Sequence, residues 1–408
     1  MGAVSRSLTQ RGRTVLACGV ALVPCGFALG SIDLVRIGTL LGGVVLVAAA
    51  FAARRTLDLT VERVVRPARV QVDEPTTVTL VVAAPRGGAS PAVRAEETLG
   101  YALGDRPRFV VPGLRGDASC RLTYGVRPTA RGRHRLGPLA VAQADPLGLT
   151  QRRALVGGEA ELVALPRLVR LDGLPAAGAM AVGEGAARHR SAAHGHDDVT
   201  VREYREGDEL RRVHWPATAR TGEVMVRQED LPSRRSATVV LDPRPDRHLG
   251  SGAVGTFEWA VSAAASVATH LAGRGFDVDL VVDDPADGPG TPETIVDRLA
   301  LLQPHGARLP ELVRRASGPR SDTGLVVLVG GLVDADDIRA LQPLATAGRR
   351  AVALLPDPAA WRVDDAESAS GGEALSALAR AGWVVARTGP ATAVAAAWAD
   401  ATEAGELA

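Results

Sequence analysis

Between Val201 and Asp230 the chain reads VREYREGDELRRVHWPATARTGEVMVRQED, which gathers Arg202, Tyr204, Arg205, Arg211, Arg212, His214, Trp215 and Arg220 in a protein only 3% aromatic. Guanidinium groups bind carboxylate or phosphate through paired hydrogen bonds, so Arg202, Arg211 and Arg220 could converge on an anion. They could equally pair with Asp208, Glu223 and Glu229 inside the protein. The acids are as numerous as the arginines, which favours the internal network. Trp215 then reads as a buried anchor rather than a stacking platform. His214 lacks a nearby Ser or Cys nucleophile with a supporting carboxylate, so no triad is expected. An anion-binding enzyme or sensor using Arg202, Asp208, Arg211, His214 and Arg220 is the competing reading.

A second polar cluster, His189, His194 and His196 beside Asp197 and Asp198, has ligand types that suit zinc-like ions. It lies in an Ala/Gly-rich stretch without sustained period, and no second cluster completes a tetrahedral set, so a solvated loop is expected. Composition excludes more. All 47 basic residues are arginine, and asparagine is absent too. Without lysine there is no P-loop and no Schiff-base chemistry. A protein-kinase site would lack both its lysine and its asparagine. A net charge of +1, from 47 basic and 46 acidic residues, gives no field that favours nucleic acid. Cys18, Cys25 and Cys120 offer no disulfide framework.

The elements that must position these residues differ along the chain. Thr14–Gly30 and Leu34–Ala53 are apolar runs of a length that spans a bilayer, about 17–25 residues, with only Arg36 charged. Ser31-Ile32-Asp33 separates them, which predicts a tight helical hairpin. Arg6, Arg11 and Arg13 before it and Arg54 and Arg55 after it place both ends, and the body of the protein, in the cytoplasm. From Leu57 to Leu165 apolar residues alternate, as in Leu57-Leu59-Val61, Val78-Leu80-Val82 and Leu122-Tyr124-Val126. Pro/Gly clusters punctuate them, so an antiparallel β-sandwich is expected. Asp145-Pro146 initiates a turn, with Gly148 supplying a permissive backbone.

Within the polar segment, alternation around Val199, Val201 and Glu203 predicts a strand. Gly207-Asp208 is a turn, with Asp208 capping a helix that begins at Glu209 and ends at Pro216. Val224 and Val226 open another strand. Beyond it, apolar strands at Val239–Leu241, Val278–Val282, Leu325–Val329, Ala351–Leu355 and Trp383–Ala386 alternate with helices. That pattern means a parallel, doubly wound sheet, whose ligand chemistry sits beyond the strand C-termini, at Asp242 and Gly330–Asp334.

The spacing R-x-Y-x-x-G-D-x-x-R-x-V-x-W-x-x-T-A-R from Arg202 resembles the signature of a bacterial family named only as domain of unknown function 58. Its matching positions are Arg202, Tyr204, Gly207, Asp208, Arg211, Trp215, Thr218 and Arg220. Arg131–Pro138 and Asp145–Leu149 resemble the region upstream of that signature. The C-terminal part is similar to a von Willebrand factor type A domain, which holds a divalent metal through Asp-x-Ser-x-Ser, a threonine and a later aspartate. Here Asp242-Pro243-Arg244-Pro245-Asp246 keeps the first Asp and replaces both serines, with Asp334 as the later acid. Arg244 can satisfy Asp242 without metal, so no cofactor is expected.

Together these readings give an α+β multidomain chain. It comprises a transmembrane hairpin (1–55), a β-sandwich (56–171), a linker (172–198), the signature segment (199–236) and a von Willebrand A-like α/β domain (237–408). The resemblance implies a non-catalytic scaffold in the plasma membrane. It would work with a MoxR-type AAA+ ATPase, and with transglutaminase-like membrane proteins, in maturing or remodelling another complex at the cell envelope.

Overall fold

Apolar length comes first. The computed structural model describes residues 8–54, 59–84, 88–175, 201–204, 213, 215–227, 235–317, 324–345, 349–361 and 365–406. The chain divides into two compact units, Met1–Leu165 and Pro166–Ala408. The first opens with helices α1 (Gln10–Ala28) and α2 (Ile32–Arg54), both long and apolar enough to cross a membrane. Their seam is written in glycine. Gly12, Gly19 and Gly26 recur every seventh residue, a spacing that returns the same helix face after two turns. A Cβ on Gly19 would lie 3.0 Å from the Gly38 carbonyl oxygen, and one on Gly26 would lie 2.8 Å from Val35. The two backbones therefore approach as only small residues allow.

The strands of the first unit follow the alternation in the sequence. They are β1 (Thr60–Arg66), β2 (Arg69–Gln71), β3 (Thr76–Ala83), β4 (Ala89–Ser90), β5 (Val93–Leu99), β6 (Arg108–Val111), β7 (Leu114–Arg115), β8 (Ser119–Val126), β9 (Gly132–Ala144), β10 (Gln151–Val156) and β11 (Ala160–Leu165). One sheet runs β1-β3-β8, the other β2-β11-β9-β5-β6, with β10 on β9 and β4 paired with β7 apart. Val78, Leu80 and Val82 of β3 and Leu136, Leu139 and Leu162 from the facing sheet share one core. This is a sandwich, with one departure from the expected antiparallel pattern: β2 and β11 pair in parallel. Between the sheets lies a buried ion pair, Arg63 Nη2 to Glu97 Oε1 at 2.8 Å. The N–H groups do not aim at the oxygens, so the attraction is Coulombic rather than a formed hydrogen bond. Burial pushes the Glu97 carboxyl up, and the Arg63 charge only partly offsets that.

The expected Asp145 turn ties this sandwich to the helices. Asp145 accepts from Leu147 N at 2.9 Å and from the Thr150 hydroxyl at 2.9 Å, and Gly148 sits at φ +68°. Thr9, which caps α1, donates through its amide to Leu149 O at 2.9 Å and through its hydroxyl to Gly148 O at 2.7 Å. Leu8, Val45, Ala48 and Leu149 form a small core there. Gly12 is required at this point, because a Cβ would stand 2.0 Å from Leu149 O.

The second unit contains β12 (Val201–Glu203), α3 (Trp215–Thr221), β13 (Met225–Arg227), β14 (Arg235–Leu241), α4 (Thr256–Gly273), β15 (Phe276–Val281), β16 (Gly288–Pro289), α5 (Pro292–Leu301), α6 (Leu309–Ala316), β17 (Gly324–Val329), α7 (Ala335–Leu341), β18 (Arg349–Pro356), α8 (Asp365–Arg380), β19 (Trp383–Thr388) and α9 (Val394–Glu406). Its sheet order is β16-β15-β14-β17-β18-β19. All neighbours are parallel except the short edge pair β15–β16. The runs that read as continuously apolar are buried throughout; Val239, Val240, Leu241, Val327 and Val329 have no exposed surface. Chain order reverses between β14 and β17, which is the switch point where open α/β sheets bind ligands.

Candidate functional site

Asp242 follows β14 directly and continues its ladder, its amide donating to Val329 O at 3.0 Å. The switch point therefore opens on a carboxylate that is only 2% exposed. Two residues on, Arg244 folds back. Its Nε donates to Asp242 Oδ1 and Oδ2 at 3.0 Å, and its Nη2 to Oδ2 at 2.7 Å. Its Nη1 donates to Asp337 Oδ1 at 2.9 Å. One guanidinium thus bridges two buried carboxylates. Burial works against the Arg244 charge, but the two aspartates outweigh it and hold the group more firmly protonated than usual.

Asp334 and Arg247 hold Asp337 in place from the other side. Asp334 caps α7 and accepts from the amides of Asp336 and Asp337 at 2.9 Å, while Asp337 Oδ2 accepts from Asp334 N at 3.2 Å. Arg247 Nη2 reaches Asp334 Oδ2 at 2.5 Å and Asp337 Oδ2 at 3.5 Å. Burial opposes the Asp334 charge, yet the Asp337 amide and Arg247 prevail and keep its carboxyl below the usual range. Gly331 lets Arg247 in, since a Cβ there would stand 2.1 Å from Arg247 O. His248 Nε2 lies 2.8 Å from Asp242 O and its Nδ1 3.1 Å from Thr256 Oγ1. A carbonyl can only accept, so the ring carries its proton on Nε2 and takes the threonine hydroxyl on Nδ1. Burial pushes the His248 pKa down.

Of the sequence-predicted ion-site residues, Asp242 and Arg244 meet. Asp334 joins them through Arg247 and Asp337. Asp246 stays largely exposed, its nearest cation Arg247 Nε at 3.5 Å. Arg244 is answered by Asp242 and Asp337, whereas the buried Nε of Arg247 makes no hydrogen bond. Among the described residues no group of three His, Cys, Asp or Glu is arranged to hold a metal ion. Sequence reading missed Asp337 and Arg247. The signal was present, because Asp334-x-x-Asp337 at a helix start is the spacing of a reciprocal cap.

The signature segment forms a small module of its own. Strands β12 and β13 pair antiparallel, Val201 opposite Arg227 and Glu203 opposite Met225, and Tyr204 N donates to Val224 O at 2.8 Å. Thr218 buckles α3 onto β13 by accepting from Met225 N at 3.0 Å. Two expectations are overturned. Pro216 does not end a helix; it is the second residue of α3, where the missing N–H has no partner to lose. Trp215 is not a core anchor; it is 71% exposed, and Tyr204 and Val224 of the same module are 37% and 44% exposed. Val226 of the same module is buried, 3% exposed. Arg220 and Glu223 are exposed as well. Gly207, Asp208, Arg211, His214, Glu229 and the Arg202 side chain lie outside the described residues, as do His189, His194, His196, Asp197 and Asp198.

Residues 200–366 match the model of a family described as protein of unknown function DUF58. No curated protein matches the chain. Among solved structures, the CARDB domain of a Pyrococcus furiosus protein in complex with di-metal ions is 20% identical, covering 24% of this chain and 93% of its own, with a TM-score of 0.18. A cohesin module from a Clostridium perfringens family 33 glycoside hydrolase is 12% identical, covering 27% and 98%, with a TM-score of 0.21. A non-cellulosomal cohesin from Archaeoglobus fulgidus is 13% identical, covering 26% and 91%, with a TM-score of 0.18. Likenesses this small carry no argument.

Proposed function

We propose that this chain, whose residues 200–366 match the DUF58 family model, is a membrane-tethered, non-catalytic scaffold that presents its signature module to a MoxR-type AAA+ ATPase. In this reading α1 and α2 span the plasma membrane with both units in the cytoplasm. The second unit acts as a von Willebrand A-like domain whose cation position is taken by Arg244. The single parallel sheet with an acid at the end of its first strand supports that assignment. The ATPase would use the scaffold to reach and remodel an envelope complex, such as one containing a transglutaminase-like membrane protein.

The observation that carries the proposal is the exposure of Trp215. A tryptophan held in the open, in a module that also exposes Tyr204 and Arg220, has the composition of a binding hot spot rather than of a core. Among the described residues the switch-point acids are bound to arginine, and His248 is held between a carbonyl and a threonine. The test is Trp215→Ala in the full chain, titrated with a purified MoxR-type ATPase from the same cell. Loss of about 2 kcal/mol of affinity, the hot-spot scale, with an unchanged melting temperature is expected. Equal affinity in the two proteins rules out this surface as the docking face.

A further inference from the structure

The turn at Asp145–Leu149 presents apolar side chains where a soluble domain would present polar ones. Leu147 is 61% exposed, and on the adjoining face of α2 so are Leu40 (66%), Val47 (70%) and Phe51 (40%). Together with Gly43 and Pro146 they line a groove of about 720 Å³ between α2 and the turn. That size takes a lipid-like chain. The groove runs along α2 from Leu40 to Phe51, about 16 Å at the helical rise. Its apolar surface is continuous with the outer surface of the two helices.

The level of the turn along the helices is fixed by α1. Gly19 faces Gly38 and Gly42, and Gly26 faces Val35, so the helices run antiparallel and Gly12 comes opposite the turn, against Leu149. Arg11 and Arg13 flank Gly12 and are exposed. Cations at that depth are where phosphate headgroups lie when α1 begins its span. Leu147 therefore sits beside the headgroup layer, on a mostly apolar surface whose polar lining is Arg36, Thr39 and Asp145. The hydrogen bonds from Thr9 and the Asp145 network leave the turn no freedom to withdraw.

We propose that the Asp145–Leu149 turn is a membrane-inserting element, with Pro146 and Leu147 in the acyl region of the leaflet at the N-terminal end of α1 and a phospholipid acyl chain filling the groove against α2. This rests on the reading of α1 and α2 as membrane spans. It assigns the sandwich a second contact with the lipid besides its tether, so that the unit is held flush against the bilayer rather than on a leash.

The test uses the full chain carrying Cys18→Ala, Cys25→Ala and Cys120→Ala, reconstituted in phosphatidylethanolamine–phosphatidylglycerol nanodiscs. A single spin label is placed at Leu147→Cys, at Val47→Cys or at Tyr101→Cys, and collision with oxygen is compared with collision with a water-soluble nickel chelate. Tyr101, 99% exposed on the sandwich, is the aqueous reference. The expected result is an oxygen-to-nickel ratio at position 147 that matches position 47 and is several-fold above position 101. A label at 147 that behaves like 101 while 47 remains in lipid overturns the inserting turn and leaves the spans intact. A label at 47 that is itself in water overturns the spans and the inserting turn together. A label at 147 shielded from both reagents also overturns the proposal, since a protein surface then covers the groove.

Discussion

Removing the Arg244 guanidinium is the perturbation that interrogates the switch point most directly. Arg244→Ala deletes one cation that contacts Asp242 at 2.7 Å and Asp337 at 2.9 Å. Each contact is worth about 6 kcal/mol of attraction at an effective dielectric near 20, and desolvation of the three groups offsets most of it. What is lost when one member of such a buried cluster goes is about 3–5 kcal/mol, because the surviving charges stay buried without compensation. At roughly 2–4 °C per kcal/mol for a unit of this size, melting should fall by about 10 °C. The assay is specific, since all five tryptophans (Trp215, Trp259, Trp361, Trp383 and Trp398) lie in the second unit and their fluorescence follows it alone. A further response distinguishes lost compensation from lost packing, because the two carboxylates of the variant are left without the cation that bridged them. A divalent ion should stabilise the variant by about 1.4 kcal/mol at ten times its dissociation constant and leave the native chain unmoved. A variant that melts within about 1 °C of the native protein, below the scale of ordinary surface changes, refutes the bridging role. So does a native chain that magnesium stabilises through Asp242.

The buried pair in the sandwich should behave as such pairs do. Glu97→Ala alone costs about 3–5 kcal/mol by stranding Arg63, whereas Arg63→Met with Glu97→Leu costs less than either single change; chemical unfolding read by circular dichroism of the full chain decides between them. His248 gives a pH dependence with a defined sign. Its pKa is depressed in the folded state by burial, so it contributes stability that is fully present above its unfolded value, about 6.5, and is lost as the pH falls from there through the folded one. The tryptophan-monitored melting point should therefore decline below about pH 6.5, and His248→Gln should flatten that decline. An unaltered slope in the variant would assign the decline to other groups.

The second unit was legible because its strands are buried on both faces: Val239–Leu241 and Leu325–Val329 carry no polar interruption, and the helices between them fall where the apolar period changes. In the sandwich, Val78-Leu80-Val82 announced the inward face, but Arg63 and Glu97 did not announce their meeting. A cross-sheet pair depends on register, which alternation alone leaves open. Trp215 misled for a related reason. Its type favours burial, yet burial depends on what packs over the ring, which the sequence of a short polar segment leaves open. Pro216 was misplaced because proline marks a helix start as readily as a helix end, and its role turns on the residues just before it. At the switch point, Asp242 and Arg244 were visible as neighbours in sequence. Asp337, 93 residues away, enters only through the fold.

Strand β9 has a mechanical consequence for the first unit. It runs from Gly132 to Ala144, about 40 Å at the extended rise, and is bonded along its length to β11, β5 and β10 in succession. Its last residue precedes the turn gripped by Thr9 and Ala48. Tilt or piston motion of the helix pair is thus delivered in part along the axis of this strand. Hydrogen bonds perpendicular to that load resist it in shear, all together, rather than parting one at a time as they would under a peeling force. The sandwich is built to transmit a pull from the α1–α2 pair to its far end without opening.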